Sequence, residues 1–147
     1  MIKLAREKTA RVEDVMSKDV VILDVRMTVE VASNVLAERR IGGAPVVGPS
    51  GKPVGIVSRA DLLDPRHRGP QATVADAMTR VLYAVRPSDA LLAAVRIMAA
   101  ENIHRVVVVD ERGGIEGIVT SMDVVRALAH GATQDGVDVE YVKLRGS

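Results

Sequence analysis

The feature that most constrains this chain is that it repeats itself without a gap. Val12-Glu13-Asp14-Val15-Met16-Ser17 recurs as Val74-Ala75-Asp76-Ala77-Met78-Thr79, an offset of 62 residues. The same offset carries Ile41 onto Ile103, Val46-Val47 onto Val108-Val109, Gly55-Ile56-Val57 onto Gly117-Ile118-Val119 and Asp61 onto Asp123. Agreement of that kind implies two copies of one structural unit. They span 12–63 and 74–128, with 1–11 as an N-terminal segment, 64–73 as a linker and 129–147 as a tail. The linker holds Pro65, Gly69 and Pro70, which interrupt regular structure and suit a turn between units.

Each copy reads in the same order. A four-residue apolar run, Val20 to Leu23 or Leu82 to Val85, is strand-sized. A helical stretch follows, with Val29, Ala32 and Leu36 on one face of the first copy and Leu91, Ala94, Val95 and Met98 on one face of the second. Two β-branched runs then flank a glycine-containing turn, Gly48 to Gly51 or Asp110 to Gly114, as in a hairpin. A final helix starts near Ser58 or Ser121. The unit is therefore β-α-β-β-α, and the fold class is α/β (α+β). A small sheet covered by helices on one face leaves its other face apolar, so two such units are expected to pack through their sheets with pseudo-twofold symmetry. In the tail, Val137, Val139 and Tyr141 alternate with Asp138 and Glu140, which suggests a short strand or arm.

Composition narrows the function. A chain of 147 residues, 48% hydrophobic, can bury a core without covalent staples. The absence of cysteine removes disulfides, thiolate nucleophiles and Cys-ligated zinc. His67, His104 and His130 lack metal-ligand spacing, so no metal residue is assigned. No glycine-rich phosphate loop and no Gly-x-Ser-x-Gly elbow occurs, so no catalytic residue is assigned and the chain is not expected to be an enzyme. No run approaches the ~20 apolar residues of a membrane helix, and Met1 to Ala10 does not read as a signal peptide; a cytoplasmic location is the expectation. Nucleic-acid binding is a weaker alternative, resting on Arg66, His67, Arg68 and the basic N-terminus. A net charge of +1 and two tyrosines as the sole aromatics supply little field and few stacking platforms.

The residues with chemical potential are Gly55-Ile56-Val57-Ser58-Arg59-Ala60-Asp61 and its copy Gly117-Ile118-Val119-Thr120-Ser121-Met122-Asp123. Each sets a hydroxyl and a carboxylate three residues apart where a strand gives way to a helix. One reading is a capping box. The other is a ligand site: helix N–H groups suit phosphate, the carboxylate suits ribose hydroxyls, and the glycine lets a ligand approach the backbone. The two readings are compatible.

This ungapped duplication, with Gly-apolar-apolar-Ser/Thr-x-x-Asp closing each copy, resembles a pair of cystathionine β-synthase (CBS) domains, or Bateman module, in stand-alone form. The Asp14-Val15-Met16-Ser17 and Asp76-Ala77-Met78-Thr79 segments and Arg40-Ile41-Gly42-Gly43-Ala44-Pro45-Val46-Val47 carry the same resemblance, which covers 12–128. It implies a regulatory module that binds AMP, ADP, ATP or S-adenosylmethionine and requires no cofactor. It also implies a homodimer and a separate effector protein. Carried onto this sequence, it places Ser58 and Asp61 in a first site, with Val21, Ile41 and Gly42 around the base and His104 and Arg105 on the phosphates. Arg59 is either a further phosphate contact or a surface residue. A second site takes Thr120 and Asp123, with Tyr83 and Ile103 near the base and Gly42 and Gly43 from the other unit. Since those glycines bring no charge, the first site is expected to be the tighter one. A module that assembles without ligand, its motifs serving only as caps, is the remaining alternative.

Overall fold

The computed structural model describes residues 3–5 and 8–134, with side chains over 10–130. The alternating segment at Val137, Val139 and Tyr141 lies outside the described residues. The chain opens with an antiparallel ribbon of β1 (Lys3–Ala5) and β2 (Lys8–Thr9). The first unit follows as α1 (Val12–Val15), β3 (Leu23–Asp24), α2 (Val29–Arg39), β4 (Gly43–Val47), β5 (Pro53–Ser58) and α3 (Arg59–Leu63). The linker forms a 3-10 turn at Pro65–His67. The second unit repeats the series as α4 (Val74–Ala77), β6 (Ala84–Val85), α5 (Leu91–Glu101), β7 (Arg105–Val109), β8 (Ile115–Thr120) and α6 (Ser121–Gln134). Strand order is β3-β4-β5 in one sheet and β6-β7-β8 in the other, with the first pair of each parallel and the second antiparallel. The last helix runs to Gln134, past the boundary expected at 128, and β1 packs against it.

The opening strands are shorter than the four-residue runs predicted. Only Leu23–Asp24 and Ala84–Val85 join their ladders, leaving Val20 to Ile22 and Leu82 to Tyr83 of the predicted runs as lead-ins. In the second unit the Val107 N–H still donates to the Tyr83 carbonyl at 3.1 Å. Its counterpart in the first unit is Pro45, which has no N–H to give Val21.

Alternation along the central strands sends Ala44 and Val46 to the helix-covered core of the first unit and Val106 and Val108 to that of the second. Pro45 and Val107 are also fully buried but belong to neither core. They point to the opposite faces of their strands, the faces the two units turn toward each other.

The units are exchanged at their beginnings. Ala10 and Val12 are buried in the core of the second unit, with Leu91, Ala94 and Val119. Val74, Ala77 and Met78 are buried in the core of the first, with Leu23, Leu36 and Val57. The backbone bonds that hold this exchange come in related pairs. Ser17 N–H donates to Ile118 O at 2.9 Å and Ile118 N–H returns to Ser17 O at 3.0 Å; Thr79 and Ile56 do the same at 2.8 and 2.9 Å. Applying the repeat offset to one pair yields the other, so the twofold relation inferred from sequence is present bond by bond.

The exchange explains the motif glycines. A Cβ on Gly55 would run into the Thr79 carbonyl oxygen and stand 3.2 Å from Met78 Sδ. A Cβ on Gly117 would stand 2.9 Å from both Met16 Sδ and Ser17 O. The expectation that these glycines admit a ligand is therefore corrected: the other unit's lead-in already fills the space. Gly55→Ala and Gly117→Ala should each destabilise the fold by about 1–3 kcal/mol through overpacking. Urea denaturation checks this, and wild-type midpoints would show that the crossing segments are not held this tightly.

Candidate functional site

Two clefts hold the motif residues, and each is built from both units. The larger, of about 410 Å³, is lined by Val20, Val21, Ile41, Gly42 and Gly43 from the first unit and by His104, Arg105, Thr120 and Asp123 from the second, with Arg40 and Arg126 at its border. The smaller, of about 240 Å³, is lined by Ile56, Ser58 and Asp61 from the first and by Val81, Tyr83, Ile103, His104 and Arg105 from the second, with Thr79 and Asn102 beside them.

This regroups the expected residues. Val21 and Ile41 lie with Thr120 and Asp123 rather than with Ser58 and Asp61, while Gly42 and Gly43 lie with Thr120 and Asp123 as the second site expected, and Gly42 does not line the first. Tyr83 and Ile103 lie with Ser58 and Asp61 rather than with Thr120 and Asp123. The cause is the exchange: Ser17 is clamped to β8, which delivers the following residues, Asp19 to Val21, beside the end of β8 rather than of β5. His104 and Arg105 line both clefts, so the expectation that the Thr120/Asp123 site lacks charge is also corrected. Arg59 is exposed and lines neither cleft; its backbone N–H donates to Gly42 O at 2.9 Å.

The capping reading holds in detail. Asp61 Oδ2 accepts from the Ser58 N–H at 2.8 Å, and Ser58 Oγ accepts from the Asp61 N–H at 3.2 Å. Thr120 and Asp123 repeat the box at 2.9 and 3.1 Å. The first N–H of each helix is also occupied, Arg59 by Gly42 O and Ser121 by His104 O, the latter at 2.8 Å. The helix ends therefore offer an anion fewer free donors than the sequence suggested. Each carboxylate commits one oxygen to its cap and keeps acceptor capacity on the other; Asp123 Oδ1 lies 4.0 Å from Arg126 Nη1.

With the helix ends largely satisfied, the guanidinium that lines both clefts is that of Arg105. It begins β7 at the position that matches Gly43, and its guanidinium lies over the glycine pair. A Cβ on Gly42 would be 2.8 Å from Arg105 Nη2, and one on Gly43 would be 2.6 Å from Nη1. Among the described residues Arg105 has no carboxylate partner. Burial pushes its pKa down from the ordinary guanidinium value, the signature of a desolvated cation.

Tyr83 is fixed in the wall of the smaller cleft. Its hydroxyl donates to Glu101 Oε2 at 2.8 Å. That bond, with burial and the charge of the carboxylate, raises the phenol above its ordinary pKa, because ionisation would forfeit the bond and set two negative charges together. Glu101 was not singled out from the sequence; its position eighteen residues after Tyr83 gives no local signal. Arg40, also missed, occupies the left-handed region with φ 55°, as does its counterpart Asn102 with φ 54°. Glu101→Gln should bring the Tyr83 pKa back toward the ordinary tyrosine value. Tyrosinate absorbance against pH reads this directly, and an unmoved titration would mean that the bond is absent in solution.

Comparison with known proteins agrees with this architecture. The family model described as CBS domain matches twice, over residues 12–67 and 74–130. An inosine-5'-monophosphate dehydrogenase of Nitrosopumilus maritimus is 31% identical over 80% of this chain, which spans only 24% of that enzyme. The CBS domain pair of protein MJ0100, solved with 5'-methylthioadenosine and S-adenosyl-L-methionine, superposes with a TM-score of 0.76 at 27% identity, covering 83% of this chain and 98% of that one. CBSX2, solved in complex with AMP, superposes with a TM-score of 0.72 at 30% identity, covering 86% of this chain and 98% of that one. Among the described residues no helix is long and apolar enough to cross a membrane, and no cluster could hold a metal ion.

Proposed function

The chain belongs to the CBS-domain family, carrying two such domains, and on that premise we propose that it is a non-catalytic regulatory module binding adenine nucleotides between its units. AMP, ADP or ATP is the ligand, with S-adenosylmethionine as a competing possibility of the same chemistry. The observation that carries this reading is the composition of the clefts. Each joins, from two different units, an apolar wall for a purine, a hydroxyl-carboxylate pair for ribose and the Arg105 guanidinium for phosphate. The ligands named for the MJ0100 pair and for CBSX2 all contain adenosine, which supports the same class.

A bound nucleotide ties the units together, since no cleft is complete within one of them. It shifts their relative orientation only by binding one arrangement better than another, and that differential affinity is the regulatory signal. The signal passes to a separate effector protein, through a homodimer of the module. The exposed apolar side chains Leu63 on α3 and Met122, Val125 and Leu128 on α6 support self-association.

Isothermal titration with AMP, ADP, ATP, S-adenosylmethionine and GTP tests the reading. The adenosine ligands should saturate and GTP should not. Replacing both Asp61 and Asp123 by Ala should weaken adenosine by roughly ten- to a hundredfold, the scale of hydrogen bonds to a charged group. It should weaken 2'-deoxyadenosine less, because one hydroxyl contact is already missing. Failure of every adenosine ligand to bind would leave an assembly module whose motifs only cap helices.

A further inference from the structure

The repeat is symmetric in its backbone and asymmetric at one place: His104-Arg105 stands where the first unit has Gly42-Gly43. Both clefts border that place, so a symmetric module would present each with its own cation, whereas this one has a single guanidinium between them. We propose that Arg105 is shared by the two clefts, so that the module holds one phosphorylated nucleotide at a time, in the Thr120/Asp123 cleft, and leaves the Ser58/Asp61 cleft to an uncharged adenosine compound. This rests on the adenosine reading above and adds which cleft takes which ligand.

Three observations carry it. First, the guanidinium touches the border of both clefts while lying on Gly42 and Gly43, and it is held by no carboxylate among the described residues. A half-buried, unpaired cation has the most to gain from an anion, and it can close on only one. Second, the surroundings are unequal. The larger cleft sets Arg40, Arg105 and Arg126 against Asp19 and Asp123, whereas the smaller has Arg105 as its one guanidinium against Asp61, with His104 lining both. Once Arg105 turns to a phosphate in the larger cleft, the smaller one retains no arginine to set against Asp61 and disfavours a second phosphate. Third, the smaller cleft is walled by Ile56, Val81, Tyr83 and Ile103, suited to a purine nucleoside, and has the smaller volume, about 240 Å³ against about 410 Å³. Arg40 adds to the contrast: it keeps a long cationic side chain in a left-handed backbone conformation that its counterpart Asn102 adopts at less cost.

The test is calorimetric titration of the full chain with AMP and with adenosine, separately and in sequence. Adenosine should fill two sites per chain and AMP one, any second AMP binding roughly tenfold or more weakly, and AMP-saturated protein should still take one adenosine. Asp123→Ala should weaken the AMP site by roughly ten- to a hundredfold while Asp61→Ala leaves it little changed. Arg105→Gln should weaken AMP by roughly tenfold or more and leave adenosine little changed, as expected for loss of a charge-assisted hydrogen bond. Two AMP molecules of equal affinity, weakening of the AMP site with Asp61→Ala instead, or equal weakening of AMP and adenosine by Arg105→Gln would each overturn the sharing. Binding of neither ligand would remove the adenosine reading itself, and this inference with it.

Discussion

The structure depends on a reciprocal loan of chain. Each unit is completed by a helix that precedes the other in sequence, so neither core closes alone. Val12 N–H donates to Asp89 O and Val74 N–H to Met27 O, at 2.9 and 2.8 Å, while Leu91 N–H donates to Ala10 O and Val29 N–H to Ala72 O, both at 2.9 Å. Separating the units would strip Ala10 and Val12 from one core and Val74, Ala77 and Met78 from the other. The loss of apolar burial and of paired backbone groups would come together. The clefts follow from the same exchange, because the lead-in to each opening strand is carried across to the closing strand of the opposite unit.

A pseudo-twofold built this way tends to make its sites alike, and the difference between them has to be written in side chains near the axis. Here it is written as glycine against arginine. Arg105 is half-buried because Gly42 and Gly43 let its guanidinium lie on them, and a Cβ on Gly43 would also stand 2.7 Å from the Val57 carbonyl oxygen. The capping boxes at Ser58/Asp61 and Thr120/Asp123, by contrast, are nearly superimposable in their hydrogen bonds. The hydroxyl-carboxylate pair is thereby duplicated, whereas the two clefts have one arginine lining both.

Much of this was legible in the sequence because it is local or periodic. The offset gave the two units, the burial of Ala32, Leu36, Leu91, Ala94 and Met98 follows the helical spacing, and the Ser/Thr-x-x-Asp boxes sit where the strand-to-helix change was read. What could not be read is non-local. Nothing in the sequence says that Ser17 pairs with Ile118 rather than Ile56, and that pairing decides which apolar wall meets which carboxylate. The same ignorance assigned Gly55 and Gly117 to a ligand when a crossing backbone fills their space. Pro45 adds a local clue to inequality beside Gly42-Gly43 against His104-Arg105: by removing a donor it spares Val21 the ladder bond that holds Tyr83.

The most direct test of the account is a crystal structure of the chain grown with AMP. The account predicts the purine against Val21 and Ile41, a ribose hydroxyl on the Asp123 carboxylate, and the phosphate within hydrogen-bond distance of an Arg105 guanidinium drawn off the Gly42-Gly43 pair. Nucleotide bound elsewhere, or bound in that cleft with Arg105 still lying on the glycines and out of reach of the phosphate, would contradict it.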